Sequence, residues 1–385
     1  MADLEVGPTG HVVAPESATG PEGDEVSGIV SDIERSAMRH ALELAASPGV
    51  PLGPNPRVGC VLLDAEGHTI AEGFHRGAGS PHAEVDALNR AGAAARGATA
   101  VVTLEPCNHT GRTGPCAQAL IDAGVRRVVI AQRDTNPVAV GGADTLRAAG
   151  VEVETEVLVD EARRLNRVWT FAVEHGRPFV TWKFATTLDG RSSAVDGTSR
   201  WVSSAAARLD THRLRALCDT MLVGTNTVAV DDPHLTVRDE SDIPIARQPL
   251  RAVMGERDLD PGRRIFDTAG DSVHLRTRDP EAALKELFSR DSQHVFLEGG
   301  PTLAAAFLQA GLVDEVVVYV APMLLGAGRS AVGDMGVRTI ADALHLTVTD
   351  VTVLEPLSDQ DDLNVRLTMS RPPSPVVHGE TTEGS

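Results

Sequence analysis

Short apolar runs recur through the first half of the chain, at Val58–Leu63, Ala100–Leu104, Val128–Ala131 and Val151–Val153. Runs this short, bounded by polar and glycine-bearing stretches, predict buried strands. Between them, Ala83–Arg90 and Ala117–Ala123 predict helices. Ser31-Asp32 followed by Ile33, Met38, Ala41, Leu42 and Leu44 predicts a capped amphipathic helix ahead of the first strand. A second alternating set follows. Strands are predicted at Phe179–Phe184, Met221–Val223, Arg251–Met254, Val295–Leu297 and Val316–Val320, and helices at Ala205–Leu217, Pro280–Phe288 and Thr302–Ala310. Alternation of this kind predicts layered α/β architecture in each half. No internal repeat relates the halves. The break falls at Glu174-His175-Gly176-Arg177-Pro178, so domains are expected over 31–175 and 178–370.

Composition narrows the classes. The 385 residues are too many for one ordinary core, and 42% hydrophobic with 23% charged residues is normal for a globular chain. No apolar run approaches the ~18 residues of a membrane span. The start lacks a basic segment followed by an apolar core, so a cytoplasmic protein is expected rather than a secreted one. Residues 1–30 hold six acids and no Lys or Arg, and 371–385 share that texture, so both are expected to be disordered tails. The net charge is −19, of which −12 stays on the body once the tails are set aside. That balance, with only 3% aromatic residues, argues against a nucleic-acid partner and leaves small molecules. Four cysteines exclude a disulfide scaffold; Cys60 and Cys218 are expected as small buried hydrophobes.

The other two cysteines belong to the strongest local signal. Pro81-His82-Ala83-Glu84 is followed by Glu105-Pro106-Cys107-Asn108-His109-Thr110-Gly111-Arg112-Thr113-Gly114-Pro115-Cys116. His82, Cys107 and Cys116 offer an imidazole and two thiolates, three ligands for a tetrahedral zinc whose fourth position is left to water. Zinc brings the pKa of such a water to about 7. Glu84, two residues past the histidine, is placed to move a proton between that water and a leaving amine, as in zinc base deaminases. A helix opening at Cys116 is expected to favour the thiolate of that residue. A fourth ligand from His109 or His75 would instead make the site structural. Eight residues separate the two cysteines, where deaminases commonly have two.

That spacing, with Pro54-Asn55-Pro56-Arg57-Val58-Gly59 ahead of it, resembles the deaminase domain of the bifunctional riboflavin-biosynthesis deaminase/reductases. The resemblance implies a cytidine-deaminase-like three-layer fold. It places Asn55, His75, His109 and Arg112 around a pyrimidine and its ribose phosphate. Arg112 suits the phosphate because its planar fork donates two parallel hydrogen bonds. Two positions depart from the family pattern. Gly114 stands where a proline is usual, and Val140-Gly141-Gly142-Ala143 replaces a Gly-basic-Gly segment with one residue fewer.

The second half has no GxGxxG fingerprint. Its signals are Thr181–Arg191, Ser199-Arg200-Trp201-Val202-Ser203, Gly224-Thr225-Asn226-Thr227, Asp231–Arg238 and Glu298-Gly299-Gly300-Pro301-Thr302-Leu303. The last reads as strand end, glycine turn and helix start, where free N–H groups favour phosphate. In this order the pieces resemble the reductase domain of the same family, which is similar in fold to dihydrofolate reductase and uses NADPH. The resemblance assigns Ala185, Trp201, Thr227, Asp231, Gly299, Gly300, Pro301 and Thr302 to NADPH. It assigns Ser199, Arg215, Leu235, Arg238 and Glu298 to substrate. Lys183 is one of two lysines against 33 arginines, which points to a chemical use or to an ion pair at a strand end. Lys183, Asp231 and Glu298 are the candidates for proton donor.

The function implied is therefore two-step. A diaminopyrimidinone ribose phosphate is hydrolytically deaminated, and its ribosyl group is then reduced by NADPH. The resemblance also implies a homo-oligomer, dimer or tetramer, formed through the reductase half. A one-activity protein, with the other half only binding, is the alternative.

Overall fold

The computed structural model describes residues 30–48, 50, 53–109, 114–359 and 361–371. Nearly all of the two expected tails, and Arg112 with its neighbours, lie outside them. The described chain forms two compact units. One comprises 30–179 with 284–294, the other 180–283 with 295–371.

The first unit runs α1 (Asp32–Ala45), β1 (Gly59–Leu63), β2 (Thr69–Phe74), α2 (Ala83–Ala91), β3 (Thr99–Leu104), α3 (Cys116–Asp122), β4 (Arg127–Gln132), α4 (Gly142–Ala148), β5 (Glu152–Glu154), α5 (Val159–Leu165) and α6 (Arg167–His175). Its five strands are ordered β2-β1-β3-β4-β5. β1 is antiparallel to both neighbours, while β3, β4 and β5 run parallel. Alternation along the central strands assigns side chains to opposite faces. Cys60, Leu62, Val102, Val128 and Ile130 pack with Ala87, Leu120 and Leu146 of α2, α3 and α4. Val61, Leu63, Val101, Val129 and Ala131 pack with Met38 and Ala41 of α1 and Ala162 of α5. Helices thus cover both faces, and strands dry on both sides read as unbroken apolar runs.

α1 begins as expected. Ser31 Oγ accepts from Glu34 N at 3.2 Å, and Glu34 Oε2 accepts from Ser31 N at 2.8 Å, a reciprocal capping box. The other oxygen of Glu34 accepts from Arg127 Nε on β4 at 2.6 Å, tying helix to sheet in a buried position. Burial alone would raise this carboxyl; the bonds from Arg127 and Ser31 outweigh it and hold the group below its usual range.

The second unit is built on eight strands ordered β10-β9-β8-β11-β6-β12-β15-β14, with β7 and β13 forming a separate antiparallel pair. In chain order the elements from β6 on are β6 (Phe179–Thr187), β7 (Arg191–Ser193), α7 (Ala205–Arg215), β8 (Thr220–Gly224), α8 (Thr225–Asp231), β9 (Leu250–Met254), β10 (Ser272–Leu275), α9 (Pro280–Phe288), β11 (His294–Leu297), α10 (Pro301–Gln309), β12 (Glu315–Ala321), β13 (Arg329–Ser330), β14 (Thr347–Leu354) and β15 (Asn364–Ser370). β8, β9 and β10 run parallel, as do β6 and β12; β15 then pairs antiparallel with β12 and with β14. Cys218 packs with Met221, Val223 and Phe296, and Cys60 lies in the first core, both buried as expected. No helix among the described residues is long and apolar enough to cross a membrane.

Candidate active sites

In the first unit the strands deliver the chemistry at their ends. β3 leads into Cys107, α3 starts at Cys116, and His82 is the residue before α2. Their ligand atoms converge. His82 Nδ1 lies 3.2 Å from Cys116 Sγ and 3.6 Å from Cys107 Sγ, and all three donors fall within 4.8 Å of one another. The Cys116 amide donates to Cys107 Sγ at 3.4 Å. The hydrogen bond from the Cys116 thiol, with those from His82 and that amide, draws the Cys107 thiol down despite burial. Cys116 is pushed up, first by that same bond and then by burial. Two touching thiols ionise together only when a cation compensates them, and an imidazole completes a donor set suited to zinc.

His75 cannot be a fourth ligand here. Its Nδ1 faces the Pro81 carbonyl at 3.1 Å, and a carbonyl only accepts, so Nδ1 carries the proton. Its Nε2 then accepts from Asn55 Nδ2 at 3.0 Å. Burial keeps this imidazole neutral by lowering its pKa. His109 stands outside the converging trio, and its buried Nδ1 has no partner among the described residues. Glu84, in the first turn of α2, is only 3% exposed, and burial pushes its carboxyl up to about 7. Asn55, His75, His82, Glu84, Cys107 and His109 line one cavity of about 210 Å³.

Four further residues of that cavity, Glu105, Asp134, Asn136 and Trp169, escaped the sequence reading. Glu105 is buried and accepts from the backbone N–H of Asp134 at 3.2 Å, Gly141 at 3.3 Å and Ala143 at 2.9 Å. It thereby fixes the 134–143 loop beside Cys107. The unusual glycines of that loop have a steric reason. A Cβ on Gly142 would stand 1.7 Å from the Pro106 carbonyl oxygen, and Gly141 adopts φ +100°. The signal available in the sequence was the acid directly before Pro106-Cys107.

In the second unit three cavities gather most of the remaining residues. The largest, about 920 Å³, is lined by Thr227 of α8 and by Gly300, Pro301 and Thr302 at the start of α10. A Cβ on Gly300 would meet nothing within 4 Å, so the backbone there is open to a ligand. Arg257, Arg278 and Arg329 line the same groove, cations suited to a pyrophosphate. A dinucleotide phosphate fits such a site. Gly299 instead packs on Leu303, which a Cβ there would meet at 2.7 Å. A second cavity of about 680 Å³ shares Thr227 and Gly300 and adds Ser199 and Asp231. The third, about 360 Å³, is lined by Lys183, Trp201, Arg208, Arg215, Leu235 and Arg238.

The cavities group Ser199 with Thr227, Asp231 and Gly300, and Trp201 with Arg215, Leu235 and Arg238. Trp201 is 64% exposed and carries the Arg208 guanidinium 4.4 Å over its ring, so it is no core aromatic. Ala185 sits on β6 against Val317 and Tyr319. Glu298, at the end of β11, accepts from Arg215 Nε at 2.5 Å and from Nη2 at 2.7 Å. Burial would raise its carboxyl, but the Arg215 charge dominates and holds it at about 2. Lys183 stands beside this pair, its ammonium 5.4 Å from the Tyr319 ring centre and in no ion pair among the described residues. Burial lowers its pKa. Asp231, exposed at the end of α8, lies in a different cavity from Lys183 and Arg215.

Comparison with known proteins follows the same division. Residues 31–132 match the cytidine and deoxycytidylate deaminase zinc-binding region, and residues 178–356 match the RibD C-terminal domain. The riboflavin biosynthesis protein RibD of Mycobacterium tuberculosis is 48% identical over 304 residues, covering 79% of this chain and 89% of that one. The chain belongs to the RibD family. RibD of Escherichia coli is 39% identical over 353 residues, covering 83% and 96%. Among solved structures, Acinetobacter baumannii RibD superposes with TM-score 0.79 at 37% identity, covering 88% of this chain and 99% of that one. A Thermotoga maritima protein described as a diaminohydroxyphosphoribosylaminopyrimidine deaminase/5-amino-6-(5-phosphoribosylamino)uracil reductase gives 0.77 at 31% identity, with the same coverage. This RibD-family chain is a bifunctional enzyme of riboflavin biosynthesis. It has a cytidine-deaminase-like zinc domain and a dihydrofolate-reductase-like domain that uses NADPH.

Proposed function

We propose that the chain deaminates 2,5-diamino-6-ribosylamino-4(3H)-pyrimidinone 5′-phosphate and then reduces the ribosyl group of the product to ribityl. The carrying observation is the convergence of His82, Cys107 and Cys116 beside buried Glu84 in one cavity. Zinc held by those three supplies Lewis acidity and lowers the pKa of water. Glu84 takes the proton from water as its oxygen adds to the ring carbon, and returns it to the amine, which leaves as ammonia. A carboxyl poised near 7 suits both transfers. Asn55, oriented by His75, addresses the pyrimidine, and His109 and Arg112 address the ribose phosphate.

In the second step NADPH supplies the hydride. Thr227 and the Gly300–Thr302 turn hold the cofactor, and Arg215, Leu235 and Arg238 hold the substrate. Once the sugar ring opens, C1′ gains a hydrogen and the attached nitrogen gains a proton. Lys183 is the donor favoured among the three candidates. Glu298 is engaged by Arg215 as an acceptor, and Asp231 lies in another cavity. The domains are proposed as 31–175 and 178–370, in a cytoplasmic homo-oligomer. The test is to supply the diaminopyrimidinone phosphate with and without NADPH and to identify products by mass. A deaminated product without NADPH and a reduced one with it are expected. A product that NADPH leaves unchanged would favour a one-activity protein.

A further inference from the structure

The cavity around Lys183 contains a residue for which nothing above has a use. Arg208, Thr211, His212 and Arg215 follow the i, i+3, i+4, i+7 spacing of one helix face on α7, and all four line this cavity. Three have evident partners. Arg215 is bonded to Glu298, Arg208 Nη1 donates to Ser203 O at 2.8 Å, and Thr211 Oγ1 donates to Ala207 O at 2.8 Å.

His212 is held differently. The backbone N–H of Arg238 donates to its Nδ1 at 3.2 Å. A ring nitrogen that accepts carries no proton, so the proton of the neutral imidazole sits on Nε2. That N–H has no protein partner among the described residues, although its ring lines a cavity crowded by Lys183, Arg208, Arg215 and Arg238. Burial and the charges of Arg215 and Arg238 lower its pKa to about 4, against the opposing pull of Glu298 and Asp242. The ring therefore stays uncharged at neutral pH. A neutral donor among four cations adds a directed hydrogen bond to an anionic ligand without adding to their mutual repulsion.

We propose that His212 binds the reductase substrate, its Nε2–H donating to an oxygen of the phosphoribosyl group. This rests on the reductase reading given above. Two substitutions separate the contact from a merely structural role. His212→Asn keeps an acceptor near the Nδ1 position for the Arg238 amide but has nothing at Nε2. His212→Gln places an amide N–H near Nε2 and gives up the Nδ1 acceptor. With 5-amino-6-(5-phosphoribosylamino)uracil and NADPH, KM should rise about tenfold in His212→Asn, with kcat little changed. His212→Gln should stay near the wild-type KM. NADPH affinity, read by fluorescence, and deamination should be unaltered in both. The opposite order, or an unchanged KM in both variants, overturns the proposal. Nitrogen-15 spectra of the histidine rings give an independent reading. Nε2 of His212 should show the protonated, pyrrole-type shift through neutral pH, and a protonated Nδ1 overturns the proposal without reference to turnover. Failure of the wild type to oxidise NADPH with this substrate would instead sink the reductase reading beneath it.

Discussion

Glu84 shows how one side chain acquires its chemistry from where it is put. A carboxyl two residues past a histidine is unremarkable in a sequence; only its burial in the first turn of α2 raises it to about 7. Replacing it by Gln keeps shape and polarity and removes the proton carrier. Glu84→Gln should bind zinc at wild-type stoichiometry, checked by metal analysis, while deamination falls about a hundredfold to ten-thousandfold. Deamination near the wild-type rate in a zinc-replete variant would remove Glu84 from its assigned role. At this scale the sequence singled out His82, Cys107, Cys116 and Glu84, which the fold brings to one place, because residue type and spacing are what the chemistry asks for. It hid Glu105, whose importance lies in three backbone N–H groups contributed from residues 134–143. It also hid the grouping of Ser199 with Thr227 and of Trp201 with Arg215, which depends on how the chain folds back and not on the order of its residues.

Elements were legible in proportion to how dry they are. β1, β3, β4, β8 and β12 are buried along almost their whole length and appeared as apolar runs. β2, β14 and β15 did not, because most of their positions are only half-buried or exposed and they carry polar residues such as Glu72 and Asp350 inside them. α4 was missed for another reason: it starts on Gly141 and Gly142, which normally punctuate loops. Here the glycine is what lets the helix reach the metal loop. Gly142→Ala would drive a methyl into the Pro106 carbonyl, so α4 must move away from the residue that precedes Cys107. We expect a loss of about 1–3 kcal/mol in stability together with weakened zinc retention, read by thermal melting and by metal analysis after mild chelation. A stable, zinc-replete Gly142→Ala variant would show that the approach is not needed.

For the whole molecule, the two units have separate hydrophobic clusters, and the three candidate metal ligands all belong to the first. A ligand that binds only folded protein stabilises the unit that holds it. Chelation should therefore abolish deamination and lower one calorimetric transition, leaving a second transition and NADPH binding in place. Loss of both transitions together on chelation would show that the reductase unit also depends on the ion. The division into two α/β domains could be read from alternating patterns alone.

The cluster of guanidinium groups around Lys183 bears on how this enzyme could be inhibited. Any compound that occupies that cavity must answer several fixed positive charges, so tight-binding candidates will need to be phosphates, sulfonates or similarly acidic groups. Such molecules enter cells poorly. The roomier, less cationic groove beside Gly300 and Leu303 offers medicinal chemistry an easier foothold.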